Sequence, residues 1–271
     1  MASILSKLKA RQKVKQNQSS QPKRQKSTLP LIPQNNKYLA STTTGEIFQP
    51  IRVHYRVPNQ EKLIKEFSKI QCIAHDFEQK RWVWLYVAEA RKIRFTNQPP
   101  EKESIVIGEF RFKGANELVL NLRSCARATE AIVFFDRYLP RDIAKVTDIT
   151  IINKLFDIEE IKSINSIDKL FERSDLMVRS PEEITQQLLE IKSKTESKIA
   201  RLIEVEQLIH KLASEPEPEI EKFPANYYED GIDSLKFALA HRQMIAMEHW
   251  KGNVNYKSMD AIQDMLKQAK R

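Results

Sequence analysis

The sequence predicts an α+β fold: a small, mostly antiparallel sheet domain with helices on one face, followed by a helical C-terminal half with one long helix. A disordered basic arm precedes both. Apolar and polar residues alternate in several short runs between residues 47 and 124, which is the period of strands. From residue 180 onward, apolar residues recur at helical spacing. The 116 residues from 115 to 230 contain none of the five glycines, which favours helices over tight turns.

Residues 1–37 form the predicted arm. They are rich in Lys, Gln, Ser and Asn, so they bury too little apolar surface to order themselves. The arm has nine Lys or Arg residues, and the first acid of the chain is Glu46. The eight bases that we expect to contact phosphates are Lys7, Lys9, Arg11, Lys13, Lys15, Lys23, Arg24 and Lys26. A flexible terminus, a nucleic-acid arm, a lipid-surface helix and an organelle transit peptide all fit this composition, although Lys outnumbers Arg seven to two, against a transit peptide.

The predicted sheet domain covers residues 38–157. Its first strand, at 51–57, alternates apolar and basic residues as a half-buried strand does. A helix over 59–70 follows. Two hairpins come next, at 72–87 and 105–123, and the second turns at a Gly-Ala-Asn sequence.

The end of this domain is harder to interpret. Residues 126–138 fit a helix, but the apolar run at 131–135 fits a buried strand equally well. Residues 142–156 read as a helix, because five apolar side chains recur there at helical spacing.

Residues 158–213 are predicted to be helical, with the long helix over 180–213. The sequence Ser-Pro-Glu-Glu at its start has the pattern of a capping box. Seven of nine positions on one heptad seam are apolar, so self-association as a coiled coil is one interpretation. Packing against the chain's own helices is favoured, since further apolar residues lie off the seam. An acidic, Pro-containing linker is predicted at 214–228, and C-terminal helices at 229–271.

Composition excludes several protein classes. No apolar run approaches the roughly 20 residues that cross a bilayer. The arm has no hydrophobic segment like that of a secretory signal. Cys72 and Cys125 do not make a disulfide framework, which indicates a reducing compartment. We therefore expect a cytoplasmic protein, with organelle targeting by the arm left open.

Enzymatic sites find little support, and an enzyme is the less favoured interpretation. The five histidines are scattered, so no metal site is expected, and no cofactor is expected because phosphate-binding and dinucleotide fingerprints are missing. Glu78 and Lys80 are weak catalytic candidates, because metal-dependent nucleases use such a pair to hold Mg²⁺ and steady a water. That site would need a second acid on a neighbouring strand, and no Asp occurs upstream of Asp76.

Trp82, Trp84 and Tyr86 share one face of a predicted strand, and Phe110 and Phe112 share a face of another. If these aromatic side chains were exposed, they would form a stacking platform for single-stranded nucleic acid. Aromatic residues at period two more often form the core beneath helices, and that is the prediction here.

Charge is distributed unevenly along the chain. Residues 46–147 carry 18 bases and 13 acids, net +5, whereas residues 148–271 carry 18 bases and 23 acids, net −5. With the arm at +9, this favours a non-enzymatic protein that associates with nucleic acid or a nucleoprotein assembly, the arm contacting phosphates and the folded domain positioning it. The partner would be DNA, RNA or an acidic protein. The alternatives are a protein–protein adaptor acting through residues 180–213 and a metal-dependent nuclease.

Overall fold

A computed structural model describes residues 37–164, 166–172, 176–178, 181–194, 197–215 and 217–269. Residues 1–36 of the arm, with all eight expected phosphate contacts, lie outside these ranges, as does part of the predicted capping box.

The described strands form one eight-stranded sheet. They are β1 (Ile51–Arg56), β2 (Ile73–Asp76), β3 (Arg81–Leu85), β4 (Val106–Phe112), β5 (Glu117–Leu122), β6 (Lys145–Ile152), β7 (Leu176–Val178) and β8 (Ile220–Pro224). Their order is β2-β3-β4-β5-β1-β6-β8-β7. Neighbours are antiparallel except β7 and β8, which are parallel. The prediction of an α+β fold with a mostly antiparallel sheet is confirmed.

The described α-helices are α1 (Gln60–Phe67), α2 (Cys125–Tyr138), α3 (Ile158–Lys162), α4 (Ile167–Leu170), α5 (Pro181–Lys194), α6 (Lys198–Ser214), α7 (Tyr227–Trp250) and α8 (Ser258–Ala269). Residues 131–135 are helical, within α2. That helix begins where the Ser124 hydroxyl accepts a hydrogen bond from the backbone N–H of Arg127, 3.1 Å away.

The main core lies between one face of the sheet and helices α1, α2 and α7. Residues paired across six strands form a continuous apolar row on that face: Trp82, Phe110, Leu120, Val53, Ile149 and Phe223. Leu63, Phe135 and Leu239 of the three helices belong to the same buried cluster. Trp84 and Tyr86 are fully buried there, as predicted, and Trp82 is half-buried.

The second face of the sheet carries both polar residues and a smaller apolar cluster that includes Ile152, Ile220 and Phe171. Arg52 and His54, predicted on the solvent side of a half-buried strand, are each only 7% exposed because neighbouring side chains cover them on that face. The Arg52 guanidinium pairs with Asp168 of α4 and lies 4.4 Å from the Phe171 ring centroid. His54 lies between Glu117 and Thr150, 2.7 Å from each, and its burial lowers the pKa of the imidazole.

The predicted helix at 142–156 is wrong, since this segment contains β6. Four of the eight residues of β6 are Val or Ile, and two more are Thr. Such β-branched side chains fit a pleated surface better than a helix. Val146, Ile149 and Ile151 lie in the main core, whereas Asp148 has its partner, Lys222, on the second face.

The C-terminal half differs from the prediction in two ways. Region 180–213 holds two helices, α5 and α6, and Ser197 between them has extended backbone angles. The predicted linker at 214–228 contains β8, so the mostly helical C-terminal half also adds strands β7 and β8 to the sheet. Fully buried Glu221 of β8 makes two hydrogen bonds with the guanidinium of Arg242, at 2.7 and 2.9 Å, which join the strand to α7.

Candidate functional site

The hairpin of β2 and β3 ends in a four-residue loop, Phe77–Lys80, closed by the Asp76–Arg81 pair of the strand register. The Asp76 carboxylate accepts hydrogen bonds from the Gln79 backbone N–H at 3.1 Å and from Arg81 Nε at 3.0 Å. These two bonds lower the pKa of Asp76, the backbone bond contributing more. Lys80 has a φ of 49°, a left-handed conformation that is uncommon outside glycine. Hydrogen bonds within the hairpin therefore fix the conformation of this loop.

A cavity of about 520 Å³ lies between α7 and α8, and another of about 470 Å³ lies beside the hairpin loop. Nine residues line the second, which we call the hairpin cavity: Gln60, Ile64, His75, Phe77, Lys80, Trp82, Phe110, Arg111 and Phe112. They come from α1, from the β2–β3 hairpin and from β4. The volume falls within the range of small-ligand sites.

Aromatic rings make up most of the hairpin cavity. The ring centroids of His75 and Phe77 are 4.2 Å apart and nearly perpendicular, and those of His75 and Trp82 are 4.6 Å apart. Trp82 is supported from beneath by Phe67 of the core, at 5.4 Å. Phe77 is 81% exposed, although the loop could have carried any polar residue there. The cavity is thus lined largely by aromatic side chains.

The charges at the hairpin cavity are positive. Lys80 and Arg111 line it, and none of the nine lining residues is Asp or Glu. Arg111 also donates to the Gln79 carbonyl at 3.0 Å, which ties β4 to the loop.

The cavity between α7 and α8 has a different character. Its lining includes Glu248 and Asp264, each of which forms an ion pair with a lysine one turn away, at 2.7 and 2.9 Å. The neighbouring lysines lower the pKa of both carboxyl groups, so they remain charged at neutral pH. An anionic ligand would therefore meet carboxylates there but none in the hairpin cavity.

The structure separates the two weak catalytic candidates. Lys80 lines the hairpin cavity, whereas Glu78 is exposed and outside its lining. Asp76 and Glu109 both pair with Arg81. Among the described residues, no three His, Cys, Asp or Glu side chains are grouped so that they could hold a metal ion.

The sequence did not place several lining residues beside the hairpin, although it showed Phe112 on an aromatic strand face. Gln60, Ile64 and Phe112 are far from the hairpin in sequence and reach it only through the packing of α1 and β4. Phe77 could have been found, since a large aromatic residue at the tip of a short polar turn is unusual.

Comparison with protein-family models, with curated proteins and with solved structures finds no match for this chain in any of the three. The hairpin cavity and the charge of the chain are therefore the features that bear on its function. Among the described helices, none combines the length and apolar character that crossing a membrane requires.

Proposed function

We propose that the protein binds single-stranded nucleic acid, with an unpaired base stacked in the hairpin cavity and the basic N-terminal arm contacting phosphates. One observation carries this proposal: the cavity is lined by aromatic rings and two cations, with no carboxylate among its nine lining residues. Proteins that bind single strands combine ring faces for the bases with positive charge for the backbone.

The geometry favours a single strand over a duplex. Bases in a duplex are stacked on one another, so their faces are not open to protein side chains. An unpaired base can enter a cavity and stack on rings such as Phe77 and Trp82. Because every base has such a face, this binding tolerates many sequences.

The charge of the whole chain supports the same partner. Its formal net charge is +9, and the bases of the arm account for all of it. A phosphate backbone gains affinity for such a segment because condensed counterions are released on binding. The arm would supply attraction and the hairpin cavity a fixed point of contact.

A second candidate function, that of a protein–protein adaptor, is favoured by a different surface. Aliphatic side chains of α5 and α6 are exposed, among them Leu188 and Leu202. Exposed apolar patches of this kind commonly mark interaction sites.

The stacking proposal is tested by replacing Phe77 with Ala and measuring binding of a fluorescent 20-nucleotide single strand by anisotropy. Stacking is worth about 1–3 kcal/mol per base, so Phe77→Ala should weaken binding about tenfold. Phe237→Ala is the matched control, because Phe237 is an exposed phenylalanine of α7, away from the cavity. Equal losses in the two variants, or equal affinity for a duplex of the same length, would contradict the proposal.

Lys80→Gln tests the charge of the cavity separately. Each phosphate contact adds about 0.7 to the salt dependence for single strands, so this variant should lower the slope of log K against log salt by about that amount. Phe77→Ala should leave the slope unchanged, since a neutral ring releases no counterion.

A further inference from the structure

Helix α6 carries apolar residues on two sides. One side, which includes Val205, Leu208 and Leu212, is half-buried, and the helix contacts α8. The other side is open: Ile199, Leu202, Ile203 and Ile209 are between 49% and 72% exposed. Spacings of three, four and seven residues place these side chains together on the helix surface. A helix that is apolar on both sides is expected to be covered on both.

Helix α5 is even less covered. Its residues 184–190 are all exposed, and they include Ile184, Leu188 and Leu189. A helix of 14 residues is marginal in water without packing against another element. Its three exposed aliphatic side chains are the part of α5 that a second surface would cover.

The exposed aliphatic area is enough for a specific interface. A buried Leu or Ile side chain removes on the order of 100 Å² from water, so seven that are about half exposed offer roughly 400 Å². Two such surfaces facing each other would bury about 800 Å² of apolar area. Since interfaces are about 60% apolar, the total would be roughly 1,300 Å², within the range of stable complexes.

The charge of this surface fits a second copy of the same chain. Residues 181–214 carry six acids and five bases, net −1. The charged groups on the open side of α6 include Glu206, whose carboxylate lies 3.9 Å from Nε2 of His210 on the same helix. A nearly neutral surface neither attracts a polyanion nor repels its own copy.

We propose that two copies of this chain associate through the α5/α6 surface, formed by the seven exposed aliphatic side chains: Ile184, Leu188, Leu189, Ile199, Leu202, Ile203 and Ile209. The association is isologous, so each residue of the surface meets the same surface on the partner across a two-fold axis. It places two hairpin cavities and two basic arms in one assembly.

Sedimentation velocity of the full chain over a concentration series tests this proposal. The sample is treated with nuclease and measured at high salt, so that bound nucleic acid cannot bridge two copies. The expected mass is twice the 31.7 kDa of one chain. A mass of 31.7 kDa at tens of micromolar would overturn the proposal and leave a different protein as the occupant of the surface.

Matched variants locate the interface. Ile199→Glu should raise the dimer dissociation constant at least tenfold, and the double variant L202E/I203E should leave a monomer. Val254→Glu is the control, because Val254 lies outside α5 and α6 and is 72% exposed, the same fraction as Ile199. A dimer that survives L202E/I203E, or one lost in Val254→Glu, would overturn the proposal. Far-ultraviolet circular dichroism verifies that each variant is folded, and these solvent-side substitutions should leave the spectrum unchanged.

Discussion

Gly108 of β4 allows three large side chains to meet on the core face of the sheet. A Cβ at this position would lie 2.9 Å from Cδ1 of Leu120, 3.0 Å from Cδ2 of Leu122 and 3.2 Å from Cε3 of Trp84. All three side chains are fully buried, so none can turn outward to make room. The small residue is therefore required by packing and not by a turn.

Replacing Gly108 with Ala should destabilise the protein by about 1–2 kcal/mol, since overpacking a tight core costs about that much and the gain in strand preference offsets only part of it. Urea unfolding measures the change. In a Leu120→Ala background, which removes the nearest atom, the same substitution should cost at least about 0.5 kcal/mol less. If the effects of the two substitutions on the free energy of unfolding were strictly additive, the packing explanation would be refuted.

Helix α4 is only four residues long, and Asp168 joins it to the second face of the sheet. The carboxylate accepts hydrogen bonds from Asn121 and from Lys113, each at 3.1 Å, and pairs with Arg52. Burial by itself would raise the pKa of Asp168, but these partners outweigh it and lower the pKa below its ordinary value. The ionised form therefore stabilises the fold.

Because the folded pKa is depressed, Asp168 contributes its full stabilisation above the unfolded pKa of about 4 and loses it as pH falls through the folded value. Asp168→Asn should cost about 2 kcal/mol at pH 7 and less below pH 4, measured by urea unfolding at each pH. Asp233→Asn is the control: its side chain is 93% exposed, and its contact with Lys236 at 3.6 Å should contribute little. Equal pH dependence in both variants would contradict this role.

Strands and helices differed in how well the sequence predicted them. Alternation predicted β1 and the two hairpins, and helical spacing predicted α1 and α7. The same spacing misassigned β6, because Val146, Ile149 and Ile152 are three residues apart and fit a helix face as well as they fit a strand. Pairing with β1 and β8, which are distant in sequence, decided the outcome. The short β8 was not predicted either. Its neighbouring prolines indicated a linker, and its pairing with β6 and β7 could not be seen in the sequence.

At the scale of the whole molecule, the sequence revealed the hairpin cavity only in part. Lys80 and Trp82 stood in one predicted hairpin, but Lys80 was a weak catalytic candidate and Trp82 was predicted to lie in the core. The meeting of these residues with those of α1 and β4 at one cavity could not be predicted, because it depends on how a helix and two hairpins pack. Charge, in contrast, needs no tertiary structure, so the basic arm was visible from the sequence alone.

The arm and the hairpin cavity should make separable contributions to nucleic-acid binding. Deleting residues 1–36 removes eight bases and lowers the formal net charge from +9 to +1. If half of these bases contact phosphates, the salt slope for a single strand should fall by about 3. A full-length variant with all eight bases changed to Gln should behave like the deletion, since charge and not length is responsible.

Combining the arm variant with Phe77→Ala completes this experiment, with affinity measured by anisotropy at several salt concentrations. The cavity variant should lower affinity by the same factor with or without the basic arm, because a stacked ring and a counterion-releasing segment act through different interactions. A salt slope that survives the loss of all eight bases would place polyanion binding in the folded part of the chain. A stacking effect that disappears with the arm would mean that the base never reaches the hairpin cavity unless the arm holds the strand.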